Sequence, residues 1–117
     1  MTTVSYSIAN PPASNGRRYH VVYVKDPDAV QAFVINWEPM LASGDTVTVA
    51  TSTAYEHGSV DTTTTEIVVD STAIVGLTTS TVLSAGLEHS LYDIKIHVTT
   101  AAGLEDDRTI LIQCLHK

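Results

Sequence analysis

Leu91-Tyr92-Asp93-Ile94-Lys95-Ile96-His97-Val98-Thr99-Thr100 decides the fold. Apolar and polar residues alternate without a break from Tyr92 to Val98. That period of two belongs to a strand with one face in a core and the other outside it. Tyr92, Ile94, Ile96 and Val98 point inward on this reading, and Asp93, Lys95 and His97 outward. Thr99-Thr100-Ala101-Ala102-Gly103 then leads through a turn into a last strand, Arg108 to Leu115, where Ile110, Ile112 and Cys114 share one register.

Earlier segments carry the same signature. Tyr19 to Val24 is an apolar β-rich run, and Asp26-Pro27-Asp28 is a turn, because proline presets φ and aspartate bonds nearby amides. Gln31 to Trp37 fits helix or strand by length, but Pro39 follows closely and alternation sets Phe33, Ile35 and Trp37 on one face. The segment is read as a strand that buries Trp37. Glu38 to Gly44 connects, with Leu41 covering the core. Asp45 to Thr53 alternates, Thr46 and Thr48 against Val47 and Val49, and Tyr55 to Thr65 reads as a loop. Glu66 to Val69 is a short strand, Ala73 to Leu77 a further strand or a crossover, and Thr79 to Ser84 a strand closed by Ala85-Gly86. About seven to eight short strands separated by turns predict an all-β fold, an immunoglobulin-like antiparallel β-sandwich. An extended arm over residues 1–18 precedes a sandwich domain over 19–117.

Composition narrows the function classes. Charged residues make up 16% of the chain, against a usual value of roughly 25%, so Thr and Ser fill the polar positions, which suits strands. The net charge of −7, with Arg17-Arg18 the one adjacent basic pair, argues against a phosphate-backbone partner, so no nucleic acid is expected. One cysteine, Cys114, cannot close an internal disulfide and reads as a small buried hydrophobe. Met1 to Ala9 shows no basic then apolar secretory pattern, and no apolar run approaches the roughly 20 residues that span a bilayer. A soluble chain without a membrane partner is expected.

The chemistry-bearing residues do not assemble into a reaction. His20, His57, His89, His97 and His116 lack the paired spacing of a zinc site, and His97 beside Lys95 marks a solvent or interface face. Asp26/Asp28 and Glu105-Asp106-Asp107 read as exposed turns, where carboxylates stay ionised and serve turn formation and solubility rather than acid–base work. Calcium is a minor option there, without the EF-hand spacing. No Gly-flanked nucleophile and no phosphate-cradling loop occurs. The expectation is a non-enzyme without cofactor, catalytic residue or metal.

What remains is surface. Val4, Tyr6, Ile8 and Tyr19 make the N-terminal stretch more apolar than an idle tail requires, and Pro11-Pro12 and Arg17-Arg18 punctuate it. Such an arm can pair with the open sheet edge of a neighbouring copy. Arg108 reads equally as a local ion pair with Asp106-Asp107 or as a contact to another subunit. The candidate interface set is therefore Val4, Tyr6, Ile8, Arg17, Arg18, Tyr19 and Arg108.

Lys25-Asp26-Pro27-Asp28-Ala29-Val30 with Phe33, Ile35 and Trp37, Asp45-Thr46-Val47, and Tyr92 through Gly103 to Asp106-Asp107-Arg108-Thr109-Ile110 together resemble the fibre-tail adaptors of tailed bacteriophages. The resemblance covers roughly Lys25 to Ile112, and the arm before Lys25 is longer than that pattern. It implies a small structural β-sandwich of the virion that joins tail or neck to receptor-binding fibres, made in the host cytoplasm. The implied partners are other virion proteins, with several copies in a symmetric assembly. A capsid decoration or cement protein is the alternative. A carbohydrate-binding or adhesion module comes third, disfavoured by an aromatic fraction of only 6%.

Overall fold

The computed structural model describes residues 2–7, 20–58 and 62–115. They form eight strands: β1 Thr2–Ser7, β2 His20–Lys25, β3 Gln31–Asn36, β4 Val47–Glu56, β5 Ile67–Val75, β6 Thr78–Ala85, β7 Leu91–Thr100 and β8 Glu105–Cys114. A 3-10 turn, Glu38–Met40, is the one helical element among the described residues. The strands make two four-stranded sheets, ordered β1-β3-β6-β5 and β2-β8-β7-β4. The chain is an all-β sandwich, as the strand periodicity predicts.

The core lies between the sheets. Phe33, Ile35, Trp37, Ile67 and Leu83 meet Tyr92, Ile94, Ile96, Val98, Ile110, Ile112 and Cys114 there. The alternation in β7 holds throughout: Tyr92, Ile94, Ile96 and Val98 are buried, with less buried residues between them. Burial at roughly 25 cal/mol per Å² of apolar surface drives this stacking. Trp37 stands just past β3, fully enclosed, and its indole N–H donates to Thr79 Oγ1 at 2.9 Å. The bond answers the polar atom that burial would otherwise leave bare. Inside the sheets a hydroxyl chain links layers: Thr72 Oγ1 donates to Ser52 Oγ at 2.8 Å, and Ser52 Oγ lies 2.9 Å from Thr81 Oγ1.

Four of the six strand pairs are antiparallel, but the sandwich is not antiparallel throughout. β1 runs parallel to β3 and β2 parallel to β8. Both parallel strands come from the N-terminal part of the chain, which crosses from one sheet to the other between β1 and β2. Three sequence boundaries also shift. β4 continues through Tyr55 to Glu56, and an irregularity between Val47 and Val49 turns Val49 outward to 51% exposure. Glu66 to Val69 and Ala73 to Leu77 are not separate elements. β5 is one strand whose bulge at Asp70, between Val69 and Ser71, breaks the phase of its alternation. Glu105-Asp106-Asp107 begins β8 rather than lying in a turn, because each residue takes up a partner across or along the ladder.

Candidate interaction surfaces

The two lateral sides of the sandwich are built differently. On one side the edges are β4 and β5, each carrying a register shift. The connection between them also covers the β4 edge: Glu56 N–H donates to Thr62 O at 3.0 Å and Thr64 N–H to Ala54 O at 3.1 Å. On the other side the outermost strands are β1 and β2, and their ladders on β3 and β8 run without any shift. An edge strand offers unpaired N–H and C=O groups to other chains, and bulges are one way to blunt it.

The closing point of β2 is Lys25. Its position in phase with Val21 and Tyr23 sends it inward, and it is fully buried. Its ammonium donates to Ala85 O at 2.6 Å and to Asp26 O at 3.0 Å. Burial pulls its pKa below the usual lysine value, opposed by Cys114 and by the nearby aspartates. The corner it holds is tight. Ala85 has φ 61° and Gly86 has φ 102°, and a Cβ on Gly86 would sit 2.6 Å from Cys114 Sγ, so only glycine fits there. Tyr92 secures the same corner, accepting from Leu87 N–H at 3.0 Å and donating to Glu66 Oε1 at 3.0 Å. This is the tyrosine-corner arrangement of β-sandwiches. Burial raises the Tyr92 pKa, and burial likewise pushes the Cys114 thiol up.

The outer faces of the two sheets contrast in charge. On the β3-β6-β5 face, Val34, Ser80, Val82, Ser84, Ser71, Ala73 and Val75 succeed one another, with Asp70 at the bulge the acidic exception. On the β4-β7-β8 face, His97 is gripped by two carboxylates. Its Nδ1 lies 2.5 Å from Asp107 Oδ1 and its Nε2 2.9 Å from Glu105 Oε1, while Lys95 Nζ stands 3.6 Å from Asp107 Oδ2. Asp107 and Glu105 hold the imidazole pKa above its ordinary value. His57 Nδ1 makes a similar pair with Asp93 Oδ1 at 2.9 Å.

At the far end of β7, Asp45 ties two loops together. Its Oδ1 accepts from Thr46 N–H at 2.9 Å and from Ala102 N–H at 3.0 Å. The Thr100 hydroxyl and these amides hold its carboxyl below the usual range. Asp26 acts as the sequence suggests, its Oδ1 accepting from Asp28 N–H at 2.8 Å to close the β2–β3 turn.

The structure separates the sequence-derived interface residues. Val4 and Tyr6 lie in β1, opposite Phe33 and Ile35 of β3. Ile8, Arg17, Arg18 and Tyr19 lie outside the described residues. Arg108 is in the other sheet, its Nη1 2.6 Å from Asp106 Oδ2 and donating to Asp107 O at 2.7 Å. Sequence reasoning missed the holding role of Lys25, although the alternation Val21-Tyr23-Lys25 signals an inward lysine. It also missed the His97 clamp, which the i, i+2 spacing of Glu105 and Asp107 foreshadows.

Comparison with known families decides what these surfaces belong to. Residues 25–113 match the family described as podophage GP4 fiber-tail adaptor protein gp77. The chain belongs to this family. It is a structural fiber-tail adaptor of the gp77 kind, in agreement with the resemblance read from its motifs. Among curated proteins nothing matches the chain. The gp77 match takes in β3 to β8 and the last residue of β2, so all four antiparallel pairs lie within it. β1 and most of β2, the strands that make the parallel pairs, precede it.

Proposed function

We propose that this adaptor joins the podophage tail to its fibres passively, in several copies, within the virion and without catalysis or a cofactor. The match of residues 25–113 to the gp77 adaptors carries this reading, since it takes in strands of both sheets and every buried core residue except Cys114. The carboxylates support a passive role. Asp26 closes a turn, Asp106 pairs with Arg108, Glu105 and Asp107 hold His97, and Glu66 accepts from Tyr92. Each of these groups has a structural partner within the fold. A net charge of −7 directs the adaptor to protein partners rather than to nucleic acid. Residues 1–18 act as an arm toward neighbouring chains, through Val4, Tyr6, Ile8, Arg17 and Arg18, with Tyr19 and Arg108 as further contacts on the sandwich.

The test is assembly without this chain. Particles made in its absence are expected to carry tails that lack fibres, and supplying the chain in trans restores them. Fibres on particles that lack the protein overturn the adaptor role. Gold label on the head instead of the tail returns the decoration-protein alternative.

A further inference from the structure

We propose that β1 is an exchangeable strand: in the assembled adaptor, Thr2–Ser7 of one copy completes the β3 edge of a second copy, in the register it holds on its own β3. The proposal rests on the adaptor reading only for the presence of neighbouring copies.

β3 is not built to be an edge. Its sequence, Gln31-Ala32-Phe33-Val34-Ile35-Asn36, holds no charge and no proline, and its ladder on β6 has no bulge. Natural edges are blunted by such devices, and β4 and β5 on the opposite side both carry register shifts. β3 therefore relies on a covering strand. The gp77 match begins after β1, so that cover lies outside the part shared with the family.

β1 is suited to supply the cover from another copy. Among the described residues it ends its sheet and is hydrogen-bonded there to β3 alone, so detaching it breaks no other strand pairing described. A second copy presents an identical β3, and an exchanged β1 would remake the same contacts, which is why swapping of identical elements is a low-cost route to assembly. The twelve residues Ile8 to Tyr19 separate β1 from β2. Fully extended, a tether of that length reaches about 40 Å. The longest dimension of the molecule is 41 Å, so a neighbour is within reach.

Charge favours the same partner. Copies that each carry a net −7 repel one another, yet Met1 to Gly16 contains no Asp, Glu, Lys, Arg or His. The first ionic side chains after it are Arg17 and Arg18, which favour an acidic neighbour. A neutral strand followed by two cations is the segment of this chain that approaches another copy at the least electrostatic cost.

Ser5 stands opposite Val34 in the β1–β3 register. Paired strand positions of this kind lie within the Cα separation that a disulfide spans. Full-length Ser5→Cys and Val34→Cys chains with different tags are co-expressed and oxidised. Cys114 is fully buried and remains in both. The expected product on a non-reducing gel is a species of twice the chain mass that carries both tags. Ser5→Cys paired with Val68→Cys, on the exposed part of β5, should give none. A disulfide that forms only within the Ser5→Cys/Val34→Cys double variant, with none between chains, shows that β1 stays at home and overturns the exchange. A double variant that forms no disulfide removes the β1–β3 register and overturns it equally. None of these outcomes depends on fibres, so failure here leaves the particle test of the adaptor role separate.

Discussion

The β4/β5 side of this sandwich and the β1/β2 side solve the same problem in opposite ways. Both must quieten the outer hydrogen-bonding rows of a sheet. β4 and β5 carry register shifts, and residues 62–64 pair back onto β4. β3 and β8 remain regular, and each is covered by a parallel strand from the N-terminal segment. The first solution is local and permanent. The second is remote in sequence and, for β1, confined to one ladder.

The contrast can be broken at its shared base first. Trp37→Ala empties the seam between the sheets and leaves Thr79 Oγ1 without its indole donor. A loss of about 3–5 kcal/mol is expected, typical of a large buried aromatic, measured by urea unfolding followed by circular dichroism. A loss under 1 kcal/mol would mean that Trp37 does not bind the layers together. Deletion of Met1–Ser7 attacks the covered side alone. Roughly 2–3 kcal/mol should go, since the ladder pairs six positions and a hydrogen bond at the weak end contributes about 0.5 kcal/mol net. The uncovered β3 should then drive concentration-dependent association in sedimentation. A truncated chain that stays monomeric and equally stable would show that β3 needs no cover.

The permanent side is probed by deleting Asp70, which brings Val69 and Ser71 into continuous register on Leu83 and Val82 without inverting the strand. Stability should change by less than about 1 kcal/mol, since the loss is an exposed charge at an edge. Association through β5 should appear, whereas a monomer indistinguishable from the parent would deny the bulge its protective role. The smallest effect is at His97. Its pKa is raised by Asp107 and Glu105, so its contribution is fully present below the unfolded value of about 6.5 and fades as pH rises through the higher folded value. His97→Gln should therefore narrow the difference in unfolding midpoint between pH 5.5 and pH 8.5 that the parent shows. An unchanged difference would discount the clamp.

How much of this was legible in the sequence depended on whether the period of two survived. From Tyr92 to Val98 it is unbroken, and every inward assignment holds. At Val49 and at Asp70 a single extra residue resets the phase. The first made an exposed valine look interior, and the second made one strand look like two. Glu105-Asp106-Asp107 resembled a loop because three adjacent carboxylates repel. They start a strand because His97, Lys95 and Arg108 stand ready across or along the ladder to neutralise them. The family motifs were readable from Lys25 onward, where the match begins. The parallel direction of β1 and β2 was not, because strand direction is set by partners distant in sequence and leaves no local mark.

The pairing of β2 with β8 has a consequence for how the protein is made. His20–Lys25 leaves the ribosome before β3 to β7, while its partner Glu105–Cys114 follows them. The sandwich therefore cannot close on that side until β8 has been made, and an apolar strand waits unpaired while five others are synthesised. That side is closed when Leu115 N–H reaches Lys25 O, 3.0 Å away, so a polypeptide cut short before β8 is left unfinished along the whole flank.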